Sequence, residues 1–384
     1  MNILLASSSS GSRGGGELYL LYLGRALAHR GHKITLWASS HPRMDELSNS
    51  FSGFGEVFRS EYQNTYDQRG RSIASYLNLF GAGRVADEWR RMQPNIIHIN
   101  KQNLEDGLDL LRAARHSRIA NLCTIHLTQS AQYLRAKIAG MRDRVSRRAL
   151  HKYAGLLVTV LENRKRDLSE FMGETPRIRM IPNGVPIFDL SRRGSVRAAR
   201  RAELGYAEND LLIVAAGRMA AQKRPLLFLD LAERIVREVP NAKFLWVGDG
   251  ALSSEWDARV TGSDLGKTVR RLPWQNDVQP LLLASDVFMH TADYEGLPLA
   301  ILEAMSAALP CAITENLLGE MPFLNAQNSI AITLEPAWIQ RLRDRPALQM
   351  IGMNGRRLAE EQFSFGKMAQ SYEALYEESL AARA

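Results

Sequence analysis

Two glutamates with seven residues between them, Glu295 and Glu303, have the type and spacing that point most directly to chemistry. They follow a predicted strand at residues 286–290, with Glu295 expected in the loop and Glu303 inside the helix that comes next. A carboxylate accepts hydrogen bonds from neighbouring hydroxyls, which sugar and ribose rings carry. Acidic residues also favour helix starts for structural reasons, so the functional interpretation requires a second signal.

The start of that helix is a candidate anion site. Pro298 suits the first turn of a helix, where its missing N–H costs nothing. The backbone N–H groups around Gly296, Leu297 and Leu299 are then expected to point outward at the positive end of the helix dipole. A diphosphate fits such a helix start.

A second loop supplies cations. It follows the apolar run at residues 211–216, begins at Gly217 and contains Arg218 and Lys223. A carboxylate beside a diphosphate requires nearby cations, and both Arg and Lys bind phosphate through charge-assisted hydrogen bonds. Either cation alone would also fit a solvated surface loop. The presence of both loops, each after a predicted strand, favours a binding site.

Alternating apolar runs and helical patterns predict the scaffold for these loops. Such alternation is typical of parallel α/β sheets, in which ligands bind beyond the carboxyl ends of the strands. The pattern breaks near residues 182–195, and 384 residues exceed the usual size of one core. We therefore predict two Rossmann-like domains facing a cleft. Strands are expected at residues 2–6, 33–37, 95–99, 121–126, 155–160, 179–181, 211–217, 242–248, 286–290 and 310–313.

With these motifs in this order, the chain resembles the retaining GT-B glycosyltransferases that carry an E-x7-E motif, the group 1 glycosyltransferases of family 4. The resemblance extends over nearly the whole sequence. It implies that Glu295 contacts the donor sugar and Glu303 the ribose, while Arg218 and Lys223 bind the diphosphate.

The resemblance also implies an α/β GT-B architecture. Residues 1–186 would form an acceptor-side domain and residues 187–364 a nucleotide-sugar domain. Residues 365–384 would form a helix that returns to the first domain. The residues of this helix that are expected to be its packing residues are Met368, Tyr372, Leu375 and Tyr376.

Weaker matches fall in the expected order along the chain. In the glycine loop, Gly15 and Gly16 would let a phosphate or acceptor approach the backbone closely, because neither has a Cβ. By resemblance, His126 touches the donor sugar near the reacting carbon, although a lone histidine at a strand end is often structural. The remaining donor-binding residues that the resemblance implies are Gly217, Gly248, Trp274 beside the base, Gly296, Leu297, Pro298 and Leu299.

The sequence departs from the family pattern in two places. Residues 314–322 match only partly the glycine-rich loop that relatives carry, and Pro186 stands where relatives often have aspartate. The sequence therefore predicts a hexose-type sugar on UDP or GDP without naming the sugar. The acceptor is expected to be a glycan or a lipid-linked sugar of a bacterial polysaccharide or glycolipid pathway.

The expected chemistry uses neither a cofactor nor a metal. The sequence has no Asp-x-Asp motif, so Arg218, Lys223 and the helix start are expected to stabilise the leaving diphosphate. By resemblance, the transfer retains anomeric configuration through front-face attack, in which the leaving phosphate oxygen takes the acceptor's proton.

Two other nucleotide-binding classes fit the sequence less well. A dinucleotide-dependent oxidoreductase requires G-x-G-x-x-G, which residues 11–19 do not contain in any register. A nucleotide-hydrolysing enzyme could use residues 262–268, but that segment is one residue shorter than a phosphate-binding loop and precedes a strand instead of following one. Both classes are disfavoured.

The formal net charge of the chain is +8, and the basic excess belongs to the first half, which favours an anionic partner. Residues 134–152 predict a basic helix whose apolar stripe could lie on an anionic membrane, or else pack on the core. A non-enzymatic module that binds anionic surfaces is thus a further alternative. Nucleic acid is not expected, because aromatic residues are not interleaved with the basic ones.

The cellular setting is predicted from cysteine usage and hydropathy. Cys123 and Cys311 lie in apolar runs and are expected to be small core residues. With neither a secretion signal nor a membrane-spanning run, a cytoplasmic protein is expected, peripheral at the inner membrane if the basic helix binds lipid.

Overall fold

A computed structural model describes residues 1–382 apart from 10, 12–13, 65–70, 174 and 176. The chain divides into two compact units. The N-terminal unit comprises Met1–Gly184 and Phe365–Ala384, and the C-terminal unit comprises Val185–Ser364. The division falls after residues 184 and 364, against boundaries predicted after residues 186 and 364. Ser12 and Arg13 of the predicted glycine loop lie outside the described residues.

The N-terminal unit is built on a parallel sheet. Within the described residues its strands are β1 (Asn2–Ser7), β2 (Lys33–Ser39), β3 (Glu56–Ser60), β4 (Ile96–Lys101), β5 (Ala120–Ile125), β6 (Leu156–Thr159) and β7 (Ile178–Met180), in the order β3-β2-β1-β4-β5-β6-β7. Strands β1, β4 and β5 are apolar runs buried on both faces, as central parallel strands should be. The helices of this unit are α1 (Gly15–His29), α2 (Asp45–Phe51), α3 (Ser72–Leu77), α4 (Leu79–Met92), α5 (Leu108–Ser117), α6 (Ala139–Lys152) and α7 (Glu162–Met172).

The C-terminal unit repeats this plan. The part of it that the structure describes has the parallel strands β8 (Leu211–Ala216), β9 (Ala242–Val247), β10 (Val269–Leu272), β11 (Val287–His290), β12 (Cys311–Thr314) and β13 (Ser329–Ile332), in the order β10-β9-β8-β11-β12-β13. Its helices are α8 (Arg193–Leu204), α9 (Pro225–Glu238), α10 (Ser253–Thr261), α11 (Gln279–Ala284), α12 (Leu299–Ser306), α13 (Glu315–Leu318), α14 (Ala337–Gln340) and α15 (Arg345–Gln362). Both sheets thus have the doubly wound strand order of Rossmann-like domains.

The prediction of two parallel α/β domains is confirmed, and the central strands lie where the apolar runs predicted them. Strands β3 and β13 were not predicted. Both are edge strands with a neighbour on only one side, β2 or β12. Edge strands need less apolar sequence than central ones, and β3 has only two apolar residues, Val57 and Phe58, so it gives only a weak pattern.

The last helix, α16 (Phe365–Ala381), belongs to the N-terminal unit, as predicted. Its predicted packing residues, Met368, Tyr372, Leu375 and Tyr376, are all buried. Two of them also form hydrogen bonds: the Tyr376 hydroxyl lies 2.7 Å from His98 Nδ1, and the Tyr372 hydroxyl 2.8 Å from Thr124 Oγ1. Buried aromatic area and buried polar contacts together fix α16 on this sheet.

The basic helix predicted at residues 134–152 is shorter in the structure. Helix α6 begins at Ala139, and Ile138 before it has a left-handed backbone with φ of 50°. The side chain of Asp143 accepts hydrogen bonds from the N–H groups of Ala131 and Gln132, which holds the preceding turn outside the helix. Leu134 and Ile138 therefore do not continue the helical stripe. No helix in the described part of the chain is both long enough and apolar enough to cross a bilayer.

One basic residue of this segment has a structural role. Arg142 is buried and donates two hydrogen bonds of 2.7 Å each to the carboxylate of Glu105. Leu134, Ile138 and Met141 are exposed, whereas Ala149 is buried. Residues 134–152 thus contain buried side chains within α6 and exposed apolar side chains before it and in its first turn.

Candidate functional site

The topological switch points locate the candidate sites. In the C-terminal unit, the first strand β8 pairs with the fourth strand β11, and the two crossover directions diverge there. The loops that follow these strands contain Lys223 and Glu295, so both predicted loops emerge at the place where doubly wound sheets bind ligands. In the N-terminal unit, β1 and β4 form the equivalent point.

The two loops of the C-terminal unit are fastened to each other by hydrogen bonds. The N–H of Asp293 donates to the carbonyl of Gln222 at 2.8 Å, and the Gln222 side-chain amide donates to the carbonyl of Tyr294 at 2.9 Å. The Thr291 hydroxyl donates to the carbonyl of Lys223 at 2.9 Å. These contacts hold the Lys223 and Glu295 backbones at a fixed separation.

Lys223, Glu295 and His290 form the charged centre of this site. The Lys223 ammonium donates to Glu295 Oε1, and His290 Nε2 lies 3.2 Å from the same oxygen. Burial opposes ionisation of Glu295, but Lys223 and His290 outweigh it and hold the pKa of this carboxyl at about 2. Burial lowers the pKa of His290. At neutral pH the centre is therefore a carboxylate, an ammonium and a neutral imidazole.

The start of α12 lies one residue later than predicted. Pro298 precedes the helix as its N-cap, with φ of −71° and ψ of 118°, and the helix begins at Leu299. The first N–H groups of α12 lack acceptors within the helix, as in any α-helix. Glu303 lies inside α12 and is 3% exposed, while Gly296 and Leu297 are buried in the preceding loop.

Arg218 and Gly217 occupy the other end of the cationic loop. Arg218 is exposed, and no carboxylate of the described residues pairs with its guanidinium. The structure gives Gly248 a packing role: its φ is 135°, and a Cβ there would lie 2.3 Å from the carbonyl oxygen of Gly217. Glycine at 248 therefore lets the loops after β8 and β9 touch backbone to backbone.

Trp274 follows β10 in a loop that an aspartate holds in place. The carboxylate of Asp249 accepts a 2.8 Å hydrogen bond from the Trp274 backbone N–H and a 2.6 Å hydrogen bond from Arg271. The Trp274 side chain is half-buried. The loop that was predicted to flank the base is thus fixed at its backbone.

In the N-terminal unit, His126 directly follows β5 and is 8% exposed. Its Nε2 lies 2.7 Å from Asn100 Oδ1, and the Asn100 amide donates to the carbonyl of Gly16 at 3.1 Å. Because that contact fixes the orientation of the amide, the Asn100 oxygen faces His126 and Nε2 must carry the proton. Burial lowers the pKa of His126 to about 4, against a smaller opposing effect of Asp106. His126 is therefore neutral at neutral pH.

The two predicted glycines of the first loop have different surroundings. Space around Gly15 is open, since a Cβ there would meet no atom within 4 Å. A Cβ on Gly16 would lie 1.9 Å from the side-chain amide nitrogen of Gln102. Gly16 thus lies against the flexible end of the Gln102 side chain, whereas the space around Gly15 is open.

Three residues that sequence analysis did not assign hold the predicted ones in place: His290, Asn100 and Asp249. Each lies at or just beyond the carboxyl end of a strand. A polar residue at the end of an apolar strand can be recognised in the sequence as a candidate site residue. The side chain that it contacts, however, depends on the strand order of the sheet. Among the described residues, no group of three or more His, Cys, Asp or Glu side chains is placed to hold a metal ion.

Models of protein families match most of the chain. The model described as Glycosyltransferase Family 4 matches residues 13–187, and the model described as Glycosyl transferases group 1 matches residues 210–339. The first match covers most of the N-terminal unit and ends three residues into the C-terminal unit, and the second lies within the C-terminal unit. Each unit is thus independently similar to a glycosyltransferase domain.

The individual relatives that the chain matches agree with the family models. The chain is 30% identical over 226 residues, 56% of its own length and 58% of the other, to an Escherichia coli UDP-Gal:alpha-D-GlcNAc-diphosphoundecaprenol alpha-1,3-galactosyltransferase. It is 24% identical to the N-acetyl-alpha-D-glucosaminyl L-malate synthase of Bacillus anthracis, over 95% of this chain and 94% of the other. Across the first three curated relatives that it matches, the chain spans 45–58% of their length.

Solved structures show the same fold. The crystal structure of Anabaena HepE in complex with UDP and glucose superposes with a TM-score of 0.79 at 18% identity, over 98% of this chain and 100% of the other. At this identity the likeness shows the fold alone.

Proposed function

Because this chain belongs to the group 1 glycosyltransferases, we propose that it transfers a hexose-type sugar from a UDP or GDP donor to a glycan or a lipid-linked sugar. The observation that carries the proposal is the contact of Lys223 and His290 with one oxygen of Glu295 at the switch point of the C-terminal unit. A buried carboxylate that stays ionised and keeps its second oxygen unoccupied suits a sugar hydroxyl.

The leaving diphosphate is proposed to be stabilised by fixed charges of the chain. Arg218 is exposed and unpaired among the described residues, so it can bind a phosphate without breaking an ion pair. Lys223 contacts Glu295 and has further N–H donors for a phosphate oxygen. Together with the start of α12, these groups would stabilise the charge that develops on the leaving group without a divalent metal.

The proposed reaction retains the anomeric configuration. The acceptor oxygen forms a bond to the anomeric carbon on the face from which the diphosphate departs, and the acceptor's proton passes to the leaving phosphate oxygen. His126 is the proposed contributor from the N-terminal unit. Its neutral ring offers hydrogen bonding without charge, which suits a sugar better than a phosphate.

Relatives support the substrate classes. The Escherichia coli relative is named for a UDP-galactose donor and a lipid-diphosphate acceptor, and the HepE structure holds UDP and glucose. UDP is therefore the first donor nucleotide to test, and a polyprenyl-diphosphate sugar the first acceptor.

An acceptor of that kind implies work at a membrane surface, for which the exposed turn before α6 is the proposed contact. Leu134 and Ile138 are exposed there, with Arg135 and Lys137 between them in sequence, and Met141 is exposed in the first turn of α6. Sedimentation with anionic and neutral vesicles at low and high salt tests this contact. Equal binding to both vesicle types, or none, would argue against it. The proposed place of action is the cytoplasmic face of the inner membrane.

The decisive experiment is a thermal-shift screen with UDP, GDP, ADP, NADH and ATP, each with and without EDTA. A ligand that binds only the folded state raises the apparent stability. We expect a shift with one nucleoside diphosphate that EDTA does not remove, followed by transfer from the matching nucleotide sugar. A shift only with NADH, or only with ATP and magnesium, would contradict the proposal.

A further inference from the structure

His290 is a buried polar residue to which neither the sequence motifs nor the family resemblance gave a role. It is the last residue of β11 and is 4% exposed. Its ring stacks near Phe288, with centroids 6.0 Å apart, and its Nε2 lies 3.2 Å from Glu295 Oε1. Buried polar atoms are usually hydrogen-bonded, and the partner of His290 Nε2 is the carboxylate predicted to contact the donor sugar.

The charge states decide the direction of this hydrogen bond. Glu295 is ionised and can only accept, so His290 must donate from Nε2. Lys223 donates to the same oxygen, Oε1. No described residue donates to Oε2. The protein thus occupies one oxygen of the carboxylate twice and leaves the other available.

We propose that His290 is a positioning residue, which together with Lys223 holds Oε1 of Glu295 so that Oε2 is presented to a hydroxyl of the donor sugar. This inference rests on the proposed function. It assigns His290 no contact with the substrate. It predicts that Glu295 recognises the sugar through a single oxygen, and therefore through few hydroxyls.

A neutral second donor has a physical advantage. Lys223 alone can follow Oε1 as the carboxylate turns, because an ammonium on a flexible stem interacts with little directionality. The imidazole is fixed by its strand and its N–H is directional, so adding it restricts the rotation of the carboxylate. Loss of this restriction lowers the fraction of Glu295 in the reactive orientation, and misplacement of about 1 Å costs about 100-fold in rate.

Three variants test the role of His290. His290→Leu keeps an apolar side chain but removes the donor, whereas His290→Gln keeps an N–H near the position of Nε2. The matched control is Met289→Leu, since Met289 is the preceding residue of the same strand and points into the core. Thermal unfolding of each variant checks that the C-terminal unit remains folded.

For His290→Leu we expect kcat to fall about 100-fold, with the Kd for UDP unchanged within about 2-fold, because UDP lacks the sugar. His290→Gln should recover activity to within about 10-fold of the wild type, and Met289→Leu should match the wild type. A parallel loss of UDP affinity and kcat in His290→Leu, or failure of Gln to recover more than Leu, would overturn the positioning role.

Deoxy donors add a test that a merely structural role would not pass. The wild type and His290→Leu are compared with UDP-hexoses that lack one hydroxyl at a time. One deoxy donor should be poor for the wild type but only slightly worse than the parent donor for His290→Leu, because the two losses remove the same contact. Independent, additive losses at every hydroxyl would refute the inference.

The outcomes also separate this inference from the proposed function. A wild-type protein that neither binds a nucleoside diphosphate nor uses any nucleotide sugar would refute the proposed function itself. An active wild type with an equally active His290→Leu would refute only the role of His290.

Discussion

The two units share the order of their first six strands but differ in the chemistry at the carboxyl ends of these strands. In the C-terminal unit, the loops after β8 and β11 bring together an ammonium, a carboxylate and an imidazole. In the N-terminal unit, Asn100 near the end of β4 and His126 just after β5 are joined by a hydrogen bond between uncharged groups. The carboxyl ends of two similar sheets thus hold a charged centre in one unit and, on a neighbouring pair of strands, a neutral one in the other.

The difference shows how a sheet determines where a site lies without determining what it binds. The carboxyl ends of the strands in both sheets are where loops and helix starts can meet a ligand. In one unit the side chains there maintain ionised groups that suit phosphates and hydroxyls, and in the other burial keeps the histidine uncharged. Variants of each centre should therefore fail in different ways.

The largest effect is expected from the carboxylate of the charged centre. Glu295→Ala should lower kcat about 1,000-fold with little change in melting temperature, because it removes a preorganised acceptor from the donor sugar. Steady-state rates with the best nucleotide sugar measure this effect. Glu335→Ala is the control, since Glu335 is an exposed carboxylate of the same unit. An active Glu295→Ala would mean that the charged centre is structural.

The cation of the same centre should act on binding and on pH dependence. Lys223→Met is expected to weaken UDP binding roughly 10- to 100-fold through loss of a charge-assisted hydrogen bond. It should also raise the pKa of Glu295, because burial then opposes ionisation with one cation fewer. Activity on the acid side should then fall at a higher pH than in the wild type. Lys267→Met, at an exposed position, should change neither property.

For the neutral pair of the N-terminal unit, we expect activity to depend on His126 but not on any titration of its ring near neutral pH. His126→Ala is expected to lower kcat about 100-fold if the ring orients the sugar. In the wild type, the rate should show no step from this residue between pH 6 and 8, because its pKa is about 4 in the folded protein. A titration near pH 6.5 that disappears in His126→Ala would show that the ring is not held neutral.

Buried histidines also predict acid sensitivity of the N-terminal unit. Burial lowers the pKa of His98 to about 3 and that of His126 to about 4, below the usual value of 6.5. The unfolded state therefore binds protons first, and stability falls as the pH drops below 6.5. Between pH 7 and 5 we expect a loss on the order of 2 kcal/mol per histidine, measured by urea unfolding.

His98→Gln should flatten this pH dependence, whereas His151→Gln, at an exposed site, should leave it unchanged. The same slope in the wild type and His98→Gln would contradict the assignment of acid sensitivity to the buried ring.

The smallest predicted effect concerns the loop contact of the C-terminal unit. Gly248→Ala should destabilise that unit by about 1–3 kcal/mol, since it forces a Cβ onto a positive φ and against the Gly217 carbonyl. Gly194→Ala, in open space on α8, should be neutral or slightly stabilising. Equal melting temperatures for the two variants would show that the loops relax freely.

Much of the fold was predictable because its signals are local. The apolar runs of the central strands, and Gly31 with φ of 85° after α1, follow from neighbouring residues alone. The predicted helix start at residue 134 was wrong for a non-local reason: Asp143 captures the N–H groups of Ala131 and Gln132 in a turn that helical spacing does not reveal.

By itself the sequence determined the alternation of strands and helices, the order of the two motif-bearing loops and the spacing of Glu295 and Glu303. Only the tertiary structure decided that Lys223 reaches Glu295 across 72 residues and shares its oxygen with His290, and that Asn100 holds His126 from a neighbouring strand. The physical reason is strand order. The sequence periodicity of each strand or helix depends on neighbouring residues, whereas the contacts between distant side chains depend on which strands pair.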